Sequence, residues 1–189
     1  MTMMIERPPS QQTPQYALGE LIMSHSGPWT IEEFEALPPE VSVELHEGKL
    51  ILTPSATFGH MRAGRRVGMK VDVYCGSDGN CVRKPDVLVL VDPEDGRPIP
   101  PDNLLLVGEI VSPGSKDEWG DKMADYADAG IPWYLIVQEV GEGFRAELHH
   151  LEEPGRYELV ASAGPGEELR VPKPFDGSID LSTLRRSRR

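Results

Sequence analysis

The stretch LLLVGEIVSPGSKDEWGDKMADY, Leu104–Tyr126, decides how the rest of the chain is read. It opens as a continuous apolar run, the signature of a strand covered on both faces. Yet it carries a glutamate, Glu109, near its end. Ser112 and Pro113 break the run, and Ser115 with Glu118 forms a capping box that starts a helix. Gly130 and Pro132 end that helix. On it, Trp119, Met123 and Tyr126 form an apolar stripe at i, i+4, i+7 spacing. Lys122 lies on the edge of the stripe, from where it can reach the sheet. The alternative is a surface pair with Glu118, worth only about 0.3–0.5 kcal/mol.

A second apolar run, DVLVLV, Asp86–Val91, precedes the first. If the two runs form an antiparallel hairpin with Val91 opposite Leu104, Asp86 lies directly opposite Glu109, and opposed residues share a face. A slip of one residue would send the two acids to opposite faces. Two ionised carboxylates facing each other in an apolar sheet repel and must be compensated. A divalent cation fits best, because Mg²⁺ takes hard oxygen ligands from one or two carboxylates. The alternatives are a solvated sheet end, or an ion pair with a lysine or arginine.

Working outward, WTIEEFEALPPE carries a capping box, Thr30 with Glu33, and a helix that Pro38-Pro39 stops within two turns. VSVELHEGKLIL alternates around Glu47-Gly48, a hairpin signal. GHMRAGRRVGMKVDVY, Gly59–Tyr74, reads as a helix weakened by Gly64 and Gly68. WYLIV, Trp133–Val137, is another central strand, and strand-like segments follow at Phe144–Leu151, Arg156–Ala161 and Glu168–Val171. His149 and His150, adjacent on a strand, face opposite sides and cannot share a metal. Trp133 and Tyr134 are most simply core. The pattern is α/β with a mixed sheet flanked by helices.

Residues 1–27 are polar and proline-rich and read as a disordered or loosely packed arm. Residues 28–184 form a single domain, and RRSRR, 185–189, is a basic tail. A chain of 189 residues buries roughly 70% of its unfolded surface. No run reaches bilayer-spanning length and the N-terminus carries no signal pattern, which excludes a membrane role and argues for the cytoplasm. Cys75 and Cys81, with no histidine near them in sequence, read as free thiols without function. A net charge of −12 counts against casual DNA binding, so any contact with nucleic acid would need a local basic patch, with Arg62, Arg65 and Arg66 as candidates.

KPDVLVL, GEIVSPGS and DKMADYADAGIP, with the earlier WTIEEFEALPPE and VELHEGKLILTPSATFGH, resemble the Uma (Uma-two) family of endonucleases. That family belongs to the PD-(D/E)xK, or restriction-endonuclease-like, superfamily. The resemblance runs from Trp29 to the last strands. It implies a restriction-endonuclease-like sheet core and a nuclease using Mg²⁺ (or Mn²⁺) on DNA, with a homodimer as one open assembly. Asp86 looks like the PD aspartate, Glu109 like the second acid, and Glu44 like the glutamate supplied by the N-terminal part. The strict motif places its lysine where Val111 stands here, so the resemblance points to Lys122 on the following helix. His60 is similar to a recurrent family histidine. His46 replaces an aliphatic residue, Gln138 an aspartate, and the strand before the PD aspartate looks compressed or missing. The same fold without productive geometry would be a nuclease-like binding or interaction module.

Overall fold

The computed structural model describes residues 24–38, 43–52, 72–75, 81–92, 98–111 and 118–184. The described chain begins at Ser24, and His25 stacks on Trp29 with ring centroids 3.9 Å apart. Helix α1, Ile31–Glu35, is capped as its sequence requires. The Thr30 hydroxyl accepts from the Glu33 amide at 3.3 Å, and the Glu33 carboxylate accepts from the Thr30 amide at 2.9 Å.

Strands β1, Val43–His46, and β2, Lys49–Leu52, form the expected hairpin. Its two turn residues, Glu47 and Gly48, both have positive φ (48° and 71°), the turn whose twist matches the flanking strands. Gly48 is also forced by space, because a Cβ there would lie 2.6 Å from that of Pro28.

The end of the segment read as a helix departs from expectation. Positions 53–71 lie outside the described residues, with His60, Arg62, Arg65 and Arg66 among them, but Val73 and Tyr74 are not helical. They belong to strand β3, Val73–Cys75, which pairs with β4, Cys81–Arg83. β-branched and aromatic residues prefer a pleated, half-buried surface, and β4 offers one. The order of this sheet is β2-β1-β4-β3. Two short antiparallel strands therefore precede the aspartate.

The central sheet runs β5-β6-β7-β8-β9: Val87–Leu90, Leu104–Val111, Trp133–Val140, Gly143–Glu153 and Arg156–Ala163. It is mixed. β5 and β6 are antiparallel, β6 and β7 parallel, and β7, β8 and β9 antiparallel. The parallel step needs a crossover, and helix α2, Glu118–Asp128, provides it. Ser115 lies outside the described residues. Gly130, at φ 78°, takes the left-handed conformation that closes a helix.

One face of this sheet, with Val107, Val111, Tyr134 and Ile136, packs on Tyr126 and Ala127 of α2. The other face, with Leu106, Ile110, Trp133 and Leu135, is covered differently. A hairpin of β10, Glu168–Val171, and β11, Gly177–Asp180, contributes Leu169, and the final 3₁₀ turn contributes Leu181. Among the described residues, a hairpin and a 3₁₀ turn rather than α-helices thus cover that side. Apolar runs predict that both faces are covered but not by what. Trp133 and Tyr134 are both buried, one on each face, and His149 and His150 likewise diverge, toward Tyr134 and Trp133 respectively.

Candidate active site

The register that matters is present. Val87 pairs with Gly108, Leu88 with Val107 and Val89 with Leu106. The ladder then shifts, so that Leu90 rather than Val91 faces Leu104. The irregularity falls at the far end, and the paired ladder closes at Val87 and Gly108, the residues next to Asp86 and Glu109. The Asp86 amide donates to the Gly108 carbonyl at 3.0 Å, and its Oδ2 accepts from the Ile110 amide at 2.9 Å. Gly108 is squeezed between neighbouring strands, where a Cβ would sit 3.0 Å from the Leu135 carbonyl oxygen and 3.2 Å from Val87. That close packing holds Glu109 in register.

Asp86 and Glu109 are both buried, at 4% and 6% exposure. Lys122 reaches Glu109, and Glu44 beside it, from the adjacent helix. Its Nζ lies 2.9 Å from Glu44 Oε1 and 3.4 Å from Glu109 Oε1, with the side chain 15% exposed. The lysine thus faces the sheet, as the edge of the stripe predicts. Burial lowers its affinity for a proton, but Glu109 and Glu44 more than offset this and hold it cationic.

Glu44, on β1, is only 2% exposed rather than an ordinary hairpin acid. Its Oε1 accepts from the Lys84 amide at 3.2 Å and from Lys122, and its Oε2 accepts from Arg83 Nη1 at 3.3 Å. The structure thus brings Glu44, Asp86, Glu109 and Lys122 into one cluster from β1, the start of β5, β6 and α2.

Sequence reasoning missed three further groups. The Tyr126 hydroxyl donates to Glu109 Oε1 at 3.0 Å. The Tyr134 hydroxyl, on the same face, is buried with no hydrogen-bond partner among the described residues, in the field of Glu109 and Asp86. Arg83, 3% exposed, bridges Glu44 to Asp125, with Nη2 2.6 Å from Asp125 Oδ2. For the tyrosines, apolar periodicity finds the ring and not the hydroxyl. For Arg83, an arginine inside a three-residue strand of CVRKPD was the available signal.

Burial pushes the Glu109 carboxyl up from its ordinary value of 4.5 to about 7. Lys122 opposes the rise, while Asp86 and Glu44 add to it. A carboxyl raised in the folded state holds a proton that the unfolded chain has lost. Stability of the metal-free protein should therefore fall as pH rises from about 4.5 through about 7, by on the order of 3 kcal/mol. Urea denaturation in chelator across that range should show the decline, and Glu109→Gln should flatten it. An equal slope in the variant would assign the decline to other groups.

Comparison with known proteins gives a consistent answer. The profile of the Uma2 family, described as "Putative restriction endonuclease", matches residues 31–183. Among solved structures, a crystal structure from Anabaena variabilis, described as "a putative nuclease belonging to DUF820", superposes with a TM-score of 0.61. It is 16% identical, and the match covers 83% of this chain and 97% of that one, so it establishes a shared fold. No curated protein matches. With the fold in hand, the family profile spanning most of the ordered chain, and the acidic cluster at its centre, the chain belongs to the Uma2 family.

Proposed function

We propose that the protein is a metal-dependent endonuclease that hydrolyses DNA phosphodiester bonds, with Asp86 and Glu109 holding Mg²⁺ (or Mn²⁺). The observation that carries this reading is the pair of buried acids on adjacent strands, with a half-buried lysine 3.4 Å from one of them. The donor chemistry fits the ion: two hard carboxylates, one resisting ionisation, beside the Tyr134 hydroxyl, unpartnered among the described residues, which a hydrated ion would supply with water. When bound, the ion polarises the scissile phosphate and lowers the pKa of a water.

The chain's own residues supply the rest. The Ile110 amide fixes Asp86, and Tyr126 fixes Glu109. Lys122 is held cationic where it can orient the attacking water and stabilise charge developing on phosphorus. Both oxygens of Glu44 are engaged by Lys84, Lys122 and Arg83, so its part is to restrain Lys122, and binding a second ion would cost those bonds. The family description supports nucleic acid as the substrate. No described helix is long and apolar enough to cross a membrane.

Supercoiled plasmid incubated with Mg²⁺ or Mn²⁺ should be nicked by the wild-type chain and left intact in chelator. Asp86→Asn should lose both cleavage and the metal-induced rise in thermal stability. Cleavage that persists in Asp86→Asn would refute the site. A wild-type chain inert on plasmid, linear and single-stranded DNA would instead point to the binding-module reading, which the −12 net charge does not favour for DNA.

A further inference from the structure

A second cluster lies beside the first and belongs to no part of that chemistry. His46 on β1, Cys81 on β4 and Asp125 on α2 present ligand atoms that all lie within 4.8 Å of one another. His46 Nδ1 is 3.3 Å from Asp125 Oδ2, and Cys81 Sγ is 3.6 Å from the same oxygen. Sequence reading dismissed the cysteines for want of a histidine. Sheet order supplies one, because β1 pairs with β4 through Leu45 and Val82, which brings the neighbouring His46 and Cys81 together.

We infer that His46, Cys81 and Asp125 form a binding site for Zn²⁺, or a similar borderline-soft divalent ion, separate from the Asp86–Glu109 pair.

Three observations carry this. The first is the donor set. One imidazole, one thiol and one carboxylate suit zinc, whereas Mg²⁺ takes oxygen alone. The second is the spacing. Zinc bonds of about 2.0–2.1 Å to nitrogen and oxygen and about 2.3 Å to sulfur give tetrahedral edges of roughly 3.3–3.6 Å. The two measured separations match those edges. The third is saturation. Asp125 Oδ2 already accepts from Arg83 Nε at 2.8 Å and lies 2.6 Å from Nη2. The imidazole and the thiol, itself a weak donor to that oxygen, crowd the same atom beyond the roughly two lone-pair sites that Arg83 already occupies.

Binding would replace the Cys81 thiol proton with the ion and take over part of Arg83's hold on Asp125. Arg83 would stay as the outer partner that orients the ligating carboxylate. Charge balances: the ion offsets one thiolate and one carboxylate, and Arg83 is offset by Glu44. Cys81 is 5% exposed, but the side chains of His46 and Asp125 are 22% and 16% exposed, which leaves an approach from solvent and a fourth position for water.

The test uses the full chain stripped with chelator and titrated with Co²⁺, whose spectrum reports its ligands. The wild type should take up one cobalt with a thiolate-to-metal charge-transfer band, and Zn²⁺ should displace it. Cys81→Ala should remove the band. His46→Ala should weaken binding by more than the roughly 10–100-fold that losing an outer partner costs. The Asp86→Asn, Glu109→Gln double variant and Cys75→Ala should each keep the band. Absence of the band from the wild type, which needs no variant to fold, would overturn the site. So would a band that survives Cys81→Ala, or one that the carboxylate double variant abolishes. The outcome is independent of any DNA cleavage.

Discussion

Replacing Lys122 by methionine should reduce metal-dependent cleavage by roughly 10²–10³-fold, the scale on which removing one pre-organised electrostatic donor acts. Methionine keeps the length and apolar stem, so the change isolates the charge. Metal binding by Asp86 and Glu109 should persist, because neither acid is removed. The same change should cost stability on the order of 3–5 kcal/mol at pH 8, since Glu44 and Glu109 lose a buried counter-charge. Lys122 is what holds the Glu109 carboxyl down, so without it that group should titrate still higher. The stability loss should therefore shrink toward pH 5, where the protonated acid needs no partner. Plasmid cleavage, metal-induced thermal shifts and urea titrations at both pH values measure the three effects. Wild-type cleavage by Lys122→Met would eliminate the proposed mechanism. A loss below about 1 kcal/mol at both pH values is what an exposed pair would give, and would contradict the buried contacts.

The parts of this site legible in the sequence are those that local rules govern. Asp86 and Glu109 could be aligned because two apolar runs and a shared face leave few registers, and the ladder irregularity at Leu90 lies too far along to disturb them. Lys122 was placed by helical periodicity, three residues from Trp119 and four from Tyr126. What stayed hidden depends on long-range order. Nothing local says that β4 lies against β1, so the meeting of His46 with Cys81, and of Glu44 with Arg83, had no sequence signal. Asp125 reads as one more acid on a polar helix, yet it is partly buried against an arginine forty-two positions earlier. Val73 and Tyr74 of β3 carry too little pattern of their own to stand apart from the helical-looking segment that ends at Tyr74.

Arg83 should be the position where substitution most damages the fold. Its guanidinium is 3% exposed and spans two acids, with Nη1 3.3 Å from Glu44 and Nε 2.8 Å from Asp125. Arg83→Met takes the guanidinium from two acids, leaving Asp125 with only His46 as a basic neighbour and Glu44 with Lys122 and the Lys84 amide. Breaking a buried pair from one side typically costs about 3–5 kcal/mol, because the remaining charge keeps its desolvation penalty. Arg83→Lys should recover little. A lysine is a point donor, and it cannot reproduce the planar fork that serves a carboxylate on β1 and another on α2 at once. The double variant Arg83→Met, Asp125→Asn should be less destabilised than the two single changes added together, since it removes one of the charges that lost the guanidinium. Urea denaturation of the three variants at pH 8 supplies the cycle. Strict additivity would mean that Arg83 and Asp125 do not interact in solution. A coupling of about 1 kcal/mol or more, with Lys122 retained, would identify the guanidinium as the tie that fixes α2, and with it the catalytic lysine, against the β1–β4 sheet.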